Sequence, residues 1–160
     1  ICTMVQGDEP MMHPDMIDAV IKPLIEDETV YSTVLAMEIV SEDIFSNPDT
    51  VKIIHDLNGD VTYTSRSAIP YCKSFPPHNY IPRRIYGIFG FRWHFLQKFT
   101  QTPESPLELA EACDSNRIFD NGFRQRIAPY PNRPSFSVDS KADITLVETV
   151  MEQDEFWGKY

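Results

Sequence analysis

The sequence predicts an α/β domain in which helices cover both faces of a mixed, mostly parallel sheet that also carries one antiparallel hairpin. Three observations lead there. Apolar, strand-like runs alternate with segments of helical periodicity along the chain. Asn58-Gly59 stands between two β-prone runs and is the strongest hairpin signal, because both residues tolerate positive φ. The chain has 160 residues of which 42% are hydrophobic, enough for one domain with a real core. Residues 1–160 read as that single domain, with no internal repeat and no low-complexity tract.

Ile1 to Val5 is apolar and β-prone, and stops at Gln6-Gly7-Asp8-Glu9-Pro10. Pro14 suits a first helical turn, and Met16, Ile17, Val20, Ile21, Leu24 and Ile25 follow at helical spacing. Strand, acidic loop and helix form a unit in which ligands gather beyond the strand's carboxyl end. Thr33 to Met37, Val51 to Ile54 and Val61 to Thr64 read as strands. Ser74 to Pro82 is Pro-rich and polar, an exposed loop. Ile85 to Phe91 is apolar, aromatic and glycine-bearing, a strand packed closely on its neighbours. Phe95, Leu96 and Phe99 continue as a short helix. Ser105-Pro106-Leu107-Glu108 starts another helix as a capping box, which Asn121-Gly122 closes. Strands near Phe123–Ile127 and Phe136–Val138 precede a last helix from Ser140 to about Glu152.

Composition narrows the partners. With 24 acidic against 14 basic residues the net charge is -10, which argues against duplex DNA or RNA as the main partner, although a local basic cluster could hold one nucleotide. No run of about 18 apolar residues is present to span a membrane. Cys2, Cys72 and Cys113 are far apart and form no C-x-x-C pair, as in a cytoplasmic protein with reduced thiols. The first residues carry no basic n-region, and the chain opens on Ile1, so we expect it to be trimmed or cut from something longer.

Three constellations carry chemistry. Asp8 and Glu9 follow a strand end, where two hard oxygen donors suit Mg²⁺; a polar loop whose Asp caps the turn is the competing reading. Asp139 ends a strand-like run in the same way, whereas Ser140 and Asp143 fit a capping box. Arg66, Arg83 and Arg84 lie near strand ends, and their guanidinium forks suit a carboxylate or phosphate; ion pairs with the many Asp and Glu explain them about as well. His13 precedes a helix proline and helps that terminus. His55, His78 and His94 are isolated. The run of Phe89, Phe91, Trp93, Phe95 and Phe99 reads as core or interface.

In order, these pieces resemble the CMP-Kdo synthetase (3-deoxy-manno-octulosonate cytidylyltransferase) family. The matching words are Val5-Gln6-Gly7-Asp8-Glu9-Pro10, Asn47-Pro48, Ser65-Arg66 with Ile69-Pro70, Arg84, and Gly87-Ile88-Phe89-Gly90-Phe91-Arg92. Ser105-Pro106-Leu107-Glu108, Asn121-Gly122 and Val138-Asp139-Ser140 with Asp143 complete them. The resemblance covers essentially the whole chain and implies a nucleotide-diphospho-sugar transferase-like, Rossmann-like fold, incomplete at its N-terminus. It implies a Mg²⁺-dependent homodimer that joins CTP to an acidic ulosonic sugar. Asp8 and Asp139 match the family's metal-binding, catalytic carboxylates. Gln6, Arg66, Arg84, Phe89, Glu111 and Asp114 are the corresponding substrate-binding positions.

Two departures stand out. The family opens with a basic, glycine-containing loop that cradles the triphosphate, and this sequence begins after it, so these residues alone should lack a complete CTP pocket. The sugar-facing positions also differ. The family's His before its G-I-Y-G-Y-R word is Ile85 here, Tyr86 replaces an apolar residue, the first Tyr is Phe89, and a Glu-Gln pair is Asp114-Ser115. Losing hydrogen-bonding groups changes which sugar is read. A modified Kdo, a sialic-type nonulosonic acid, or a truncated non-catalytic sugar-binding or dimerisation module are the alternatives.

Overall fold

The chain alternates strand and helix as its apolar periodicity requires, and the computed structural model describes residues 1–138 and 140–159. The elements are β1 (Cys2–Val5), α1 (Pro14–Glu26), β2 (Ser32–Glu38), α2 (Glu42–Ser46), β3 (Lys52–His55) and β4 (Val61–Ser65). They continue with β5 (Arg83–Phe91), α3 (Trp93–Gln101), α4 (Pro106–Glu111), α5 (Ser115–Asp120), β6 (Gln125–Tyr130) and α6 (Lys141–Met151). One sheet takes the order β4-β3-β5-β2-β6, with β1 also against β5.

The mixed α/β class is as the sequence predicts, but the strands are not mostly parallel. Among the described residues four of the five strand pairings are antiparallel, and β2–β6 is the parallel one. The strand-helix-strand unit explains the difference. β1 and β2 do run the same way around α1, yet β5 inserts between them and opposes both. A later strand between two earlier ones turns an expected parallel contact into two antiparallel ones.

β5 organises the site. One of its edges lies along β2, whereas the other is shared by β1, over Ile88–Phe91, and β3, over Arg83–Arg84. Between them the carboxyl end of β1 meets the amino end of β3. There Gln6 N donates to Gly87 O at 2.9 Å and Ile85 N donates to Val51 O at 2.9 Å.

Opposite this edge the register steps from Val34↔Phe89 to Leu35↔Tyr86, so Gly87 and Ile88 are extra residues on β5. A slip of one residue would flip every later side chain; a slip of two keeps the alternation. Ile85, Phe89 and Phe91 therefore stay with Val34, Ala36 and the α3 residue Phe95. Tyr86 and Ile88 stay on the other face with Met16 and Val20 of α1. Each fully buried side chain of this kind stabilises the fold by about 2 kcal/mol. Helices cover both faces, as expected.

Local expectations fared unevenly. The capping boxes Ser105/Glu108 and Ser140/Asp143 both form. The β3–β4 hairpin forms, but not through a two-residue turn. Gly59 alone of the pair has positive φ, at 81°. The loop is longer, with Asp56 Oδ1 accepting from the amides of Asn58 and Asp60, each at 2.8 Å. The helix expected from Ser105 to Asn121 is two helices. Ala112 takes left-handed angles, φ 47°, so that its amide closes α4 on Glu108 O. Helix α2 escaped the sequence reading; Ser41 caps it by accepting from Ile44 N at 3.3 Å. The expected strand at Phe136–Val138 is irregular, because Pro131 and Pro134 lead into it and remove ladder donors. The aromatic strand β5, expected as core or interface, is buried from Tyr86 to Phe91.

Candidate active site

The meeting of β1 and β3 on β5 opens a cleft of about 880 Å³. Its near wall is the loop after β1, carrying Gln6, Asp8 and Glu9. Arg84, Ile85 and Phe89 of β5 form its floor, and Arg66 and Asp114 stand on the far wall. Seven of the eight site residues expected from the sequence were within the described part, and six of these reach this one cleft.

Gly87 makes the near wall possible. A Cβ there would lie 2.2 Å from Gln6 Oε1 and 3.0 Å from Gln6 Cβ, so only glycine lets the Gln6 side chain cross β5. Asp8 is exposed to the cleft, and its carbonyl accepts from Val138 N at 2.9 Å. The 131–138 segment therefore runs beside Asp8. Asp139, the second expected metal ligand, lies outside the described residues. Among the described residues no cluster of three or more His, Cys, Asp or Glu side chains is arranged to hold a metal ion. Mg²⁺ needs fewer, since one or two carboxylates serve when phosphate oxygens and water complete its octahedron. Asp8 offers that chemistry.

Glu9 turns inward instead. It is buried, and Oε1 accepts from Ser137 Oγ at 2.9 Å. Burial pushes its carboxyl up from the usual range, against the pull of Ser137, Tyr86 and Arg84. Arg84 Nη2 donates to Ser135 Oγ at 3.0 Å, and its guanidinium lies over the Tyr86 ring at 5.6 Å. Glu9 Oε2, Arg84 Nε and the Tyr86 hydroxyl are buried without a well-formed hydrogen bond among the described residues. The hydroxyl does lie near enough to Glu9 for each to perturb the other, yet the geometry falls short of a good bond. Tyr86, expected among the sugar-facing positions, does not line the cleft; it is buried on the α1 face behind these two charged groups.

The far wall is scaffold. Arg66 donates Nε to Glu111 O at 2.9 Å, Nη1 to Pro48 O at 3.1 Å and Nη2 to Ala112 O at 3.2 Å. Its charge faces the cleft while most of its fork is occupied. Glu111 is not among the cleft-lining residues. Its carboxylate accepts from Tyr63 OH at 2.8 Å, Ser65 Oγ at 2.7 Å and Arg66 N at 2.9 Å. Although burial raises its carboxyl, these donors outweigh it and hold the group below its ordinary value. Asp114 is exposed at the wall; partial desolvation in the concave surface and the nearby Glu108 push it up. Arg83 stays away from the cleft, bonded to Ala36 O at 2.9 Å and Tyr130 O at 3.3 Å. His13 occupies the N-cap position of α1 without capping it; Nε2 pairs with Asp154 at 2.8 Å. All three cysteines are free thiols, and only Cys113 is fully buried.

Comparison defines the class to which this α/β sheet, with its acidic loop and arginines at one cleft, belongs. Residues 1–127 match the family described as Cytidylyltransferase, and the chain belongs to that family. Within it, the chain is 38% identical over 149 residues to the 3-deoxy-manno-octulosonate cytidylyltransferase of Chloroherpeton thalassium, covering 92% of this chain and 60% of that protein. The enzyme of the same name from Dichelobacter nodosus is 35% identical, over 94% of this chain and 60% of that one. The fold is similar to CMP:2-keto-3-deoxy-manno-octonic acid synthetase complexed with CTP, with a TM-score of 0.84 and 29% identity over 94% of this chain and 61% of that chain. The chain thus spans about 60% of the length of the relatives it matches. Among the described residues no helix is long and apolar enough to cross a membrane.

Proposed function

We propose that this chain is the acceptor-facing part of a cytidylyltransferase that transfers CMP from CTP to the anomeric hydroxyl of a 3-deoxy-2-ulosonic acid, Kdo or a relative. The anomeric oxygen attacks the α-phosphorus, the bond to the bridging oxygen breaks, pyrophosphate leaves and the hydroxyl proton passes to solvent. The observation that carries this reading is the cleft where β1 meets β3 on β5, lined by Asp8 together with Arg66 and Arg84. Arg66 and Arg84 are the cations of a lining otherwise rich in carboxylates, so an anionic sugar and an anionic nucleotide would need a metal ion beside them, and phosphoryl transfer depends on positioning and electrostatics more than on covalent chemistry. Asp8 and Asp139 would hold Mg²⁺, which neutralises charge on the phosphates when bound. Gln6, packed over Gly87, contributes a polar group to the same wall.

Ile85 and Phe89 put apolar surface on the floor, where a polyhydroxylated sugar would otherwise find hydrogen-bonding groups. The acceptor is therefore a ulosonic acid whose chain is read partly by shape. A homodimer in the cytoplasm, feeding lipopolysaccharide or another surface polysaccharide, follows from the same family likeness. Exposed Tyr71 and Ile81, in the loop before β5, supply apolar surface for pairing.

The test is pyrophosphate release by the protein at its full encoded length, with CTP, Mg²⁺ and a panel of ulosonic acids. Turnover with at least one sugar, dependent on Mg²⁺, is expected. No release with any sugar rejects the transferase reading in favour of a non-catalytic sugar-binding module.

A further inference from the structure

We propose that Glu9 is a positioning residue: through Ser137 it ties the 131–138 segment to the loop that bears Asp8 and so holds Asp8 in place for a metal ion. This rests on the reading of Asp8 and Asp139 as Mg²⁺ ligands.

The segment after β6 belongs to no strand, and its prolines at 131 and 134 deny it a regular ladder. What holds it is a short series of tethers. Arg84 Nη2 donates to Ser135 Oγ at 3.0 Å, Ser137 Oγ donates to Glu9 Oε1 at 2.9 Å, and Val138 N donates to Asp8 O at 2.9 Å. Residues two apart project from the same side of an extended chain, so Ser135 and Ser137 can both reach down to the sheet. Beyond residue 139 the chain is held again, because Ser140 N donates to Asp143 Oδ2 at 2.7 Å in the capping box of α6.

Glu9 is the side chain that joins this segment to the very loop bearing Asp8. It is 9% exposed, so bulk water offers its carboxylate little alternative to Ser137. Its inward turn also separates it from Asp8, whose carboxylate is exposed. A loop with two adjacent acids therefore divides the work: one faces the cleft and the other holds the opposing segment. Groups that orient metal ligands typically change metal affinity by 10–100-fold when removed.

The test measures Mn²⁺ binding to the full-length protein by the loss of the free-ion EPR signal, beside melting curves for every variant. Glu9→Ala and Ser137→Ala should each weaken binding by about tenfold. Glu9→Gln, which keeps an acceptor oxygen for Ser137, should restore affinity to within about threefold of wild type, a rescue that general destabilisation would not produce. Ser137→Ala keeps the test open should Glu9→Ala fail to fold. Wild-type Mn²⁺ affinity in Ser137→Ala and Glu9→Ala, with binding lost in Asp8→Ala, overturns the positioning role alone. Wild-type affinity in Asp8→Ala overturns the metal reading itself, and this proposal with it.

Discussion

The two sides of the cleft both carry buried charged side chains, yet on one side those charges are saturated and on the other they are not. On the far wall Lys52 is wholly buried and donates Nζ to Asn47 O at 2.9 Å, to Thr50 O at 2.6 Å and to Arg66 O. Glu111 accepts three bonds and Arg66 gives three to carbonyls. At the near wall and floor Glu9 and Arg84, with Tyr86 behind them, each keep a buried polar atom without a well-formed bond among the described residues. Satisfied networks rigidify, and partly satisfied ones are costly unless something else completes them. The far wall is therefore a frame, and the near wall is where a ligand or ordered water adds the missing partners.

The strongest way to break this comparison is to attack the frame. Lys52→Ala would strip a donor from three carbonyls and leave a cavity, so a loss of about 4 kcal/mol is expected, read as a lowered urea midpoint. A loss below about 1 kcal/mol would show that the far wall is not the frame. Next, Asp8→Asn should lower kcat at least about 100-fold, since an exposed carboxylate serves charge stabilisation rather than folding. Its melting temperature should stay within about 2 °C of wild type. Comparable losses of activity and stability would assign Asp8 to the scaffold.

Gly87→Ala should have a smaller effect, about 1–2 kcal/mol, because its Cβ would meet the movable end of Gln6 before any backbone. Its signature should be a raised KM for the sugar, with Gln6 displaced from the near wall. An unchanged KM would remove Gln6 from the substrate contacts.

The pH dependence sharpens the contrast with the smallest effect. Glu111 is held below its ordinary value of 4.5, so its stabilisation is present above that pH and is lost as pH falls through the lower, folded value. Glu9 is raised above 4.5, and its sign is opposite: folding binds its proton more tightly, so its contribution falls as pH rises from 4.5 toward the raised value. Glu111→Gln should thus flatten the acid side of the stability profile. Glu9→Gln should flatten the decline above pH 4.5 instead. Urea unfolding across that range reads both slopes, and slopes of the same sign would refute the division between the walls.

Much of the fold was legible in the residues. Helix α1 announced itself through Pro14 and its apolar spacing, and both capping boxes were readable because they close within three residues. Asp8 after a strand, and Arg66 and Arg84 near strand ends, were legible as site candidates for the same reason: local order ties them to the ends of elements. Glu111, expected from the resemblance among the substrate-binding positions, does not line the cleft; three donors from β4 and its end, more than 40 positions away, claim its carboxylate.

What the sequence by itself determined is therefore local: which segments are strands or helices, where most of them begin, and which acids and arginines stand at their ends. Tertiary structure alone decided that β5 enters between β1 and β2, so that the sheet is mostly antiparallel and the cleft opens where β1 meets β3. It also decided that Glu9 turns inward while Asp8 stays exposed. The physical reason is the range of the interactions. Periodicity, capping and turn chemistry act within a few residues, whereas strand insertion and the partner of a buried carboxylate depend on contacts between segments far apart in the chain, which no local pattern records.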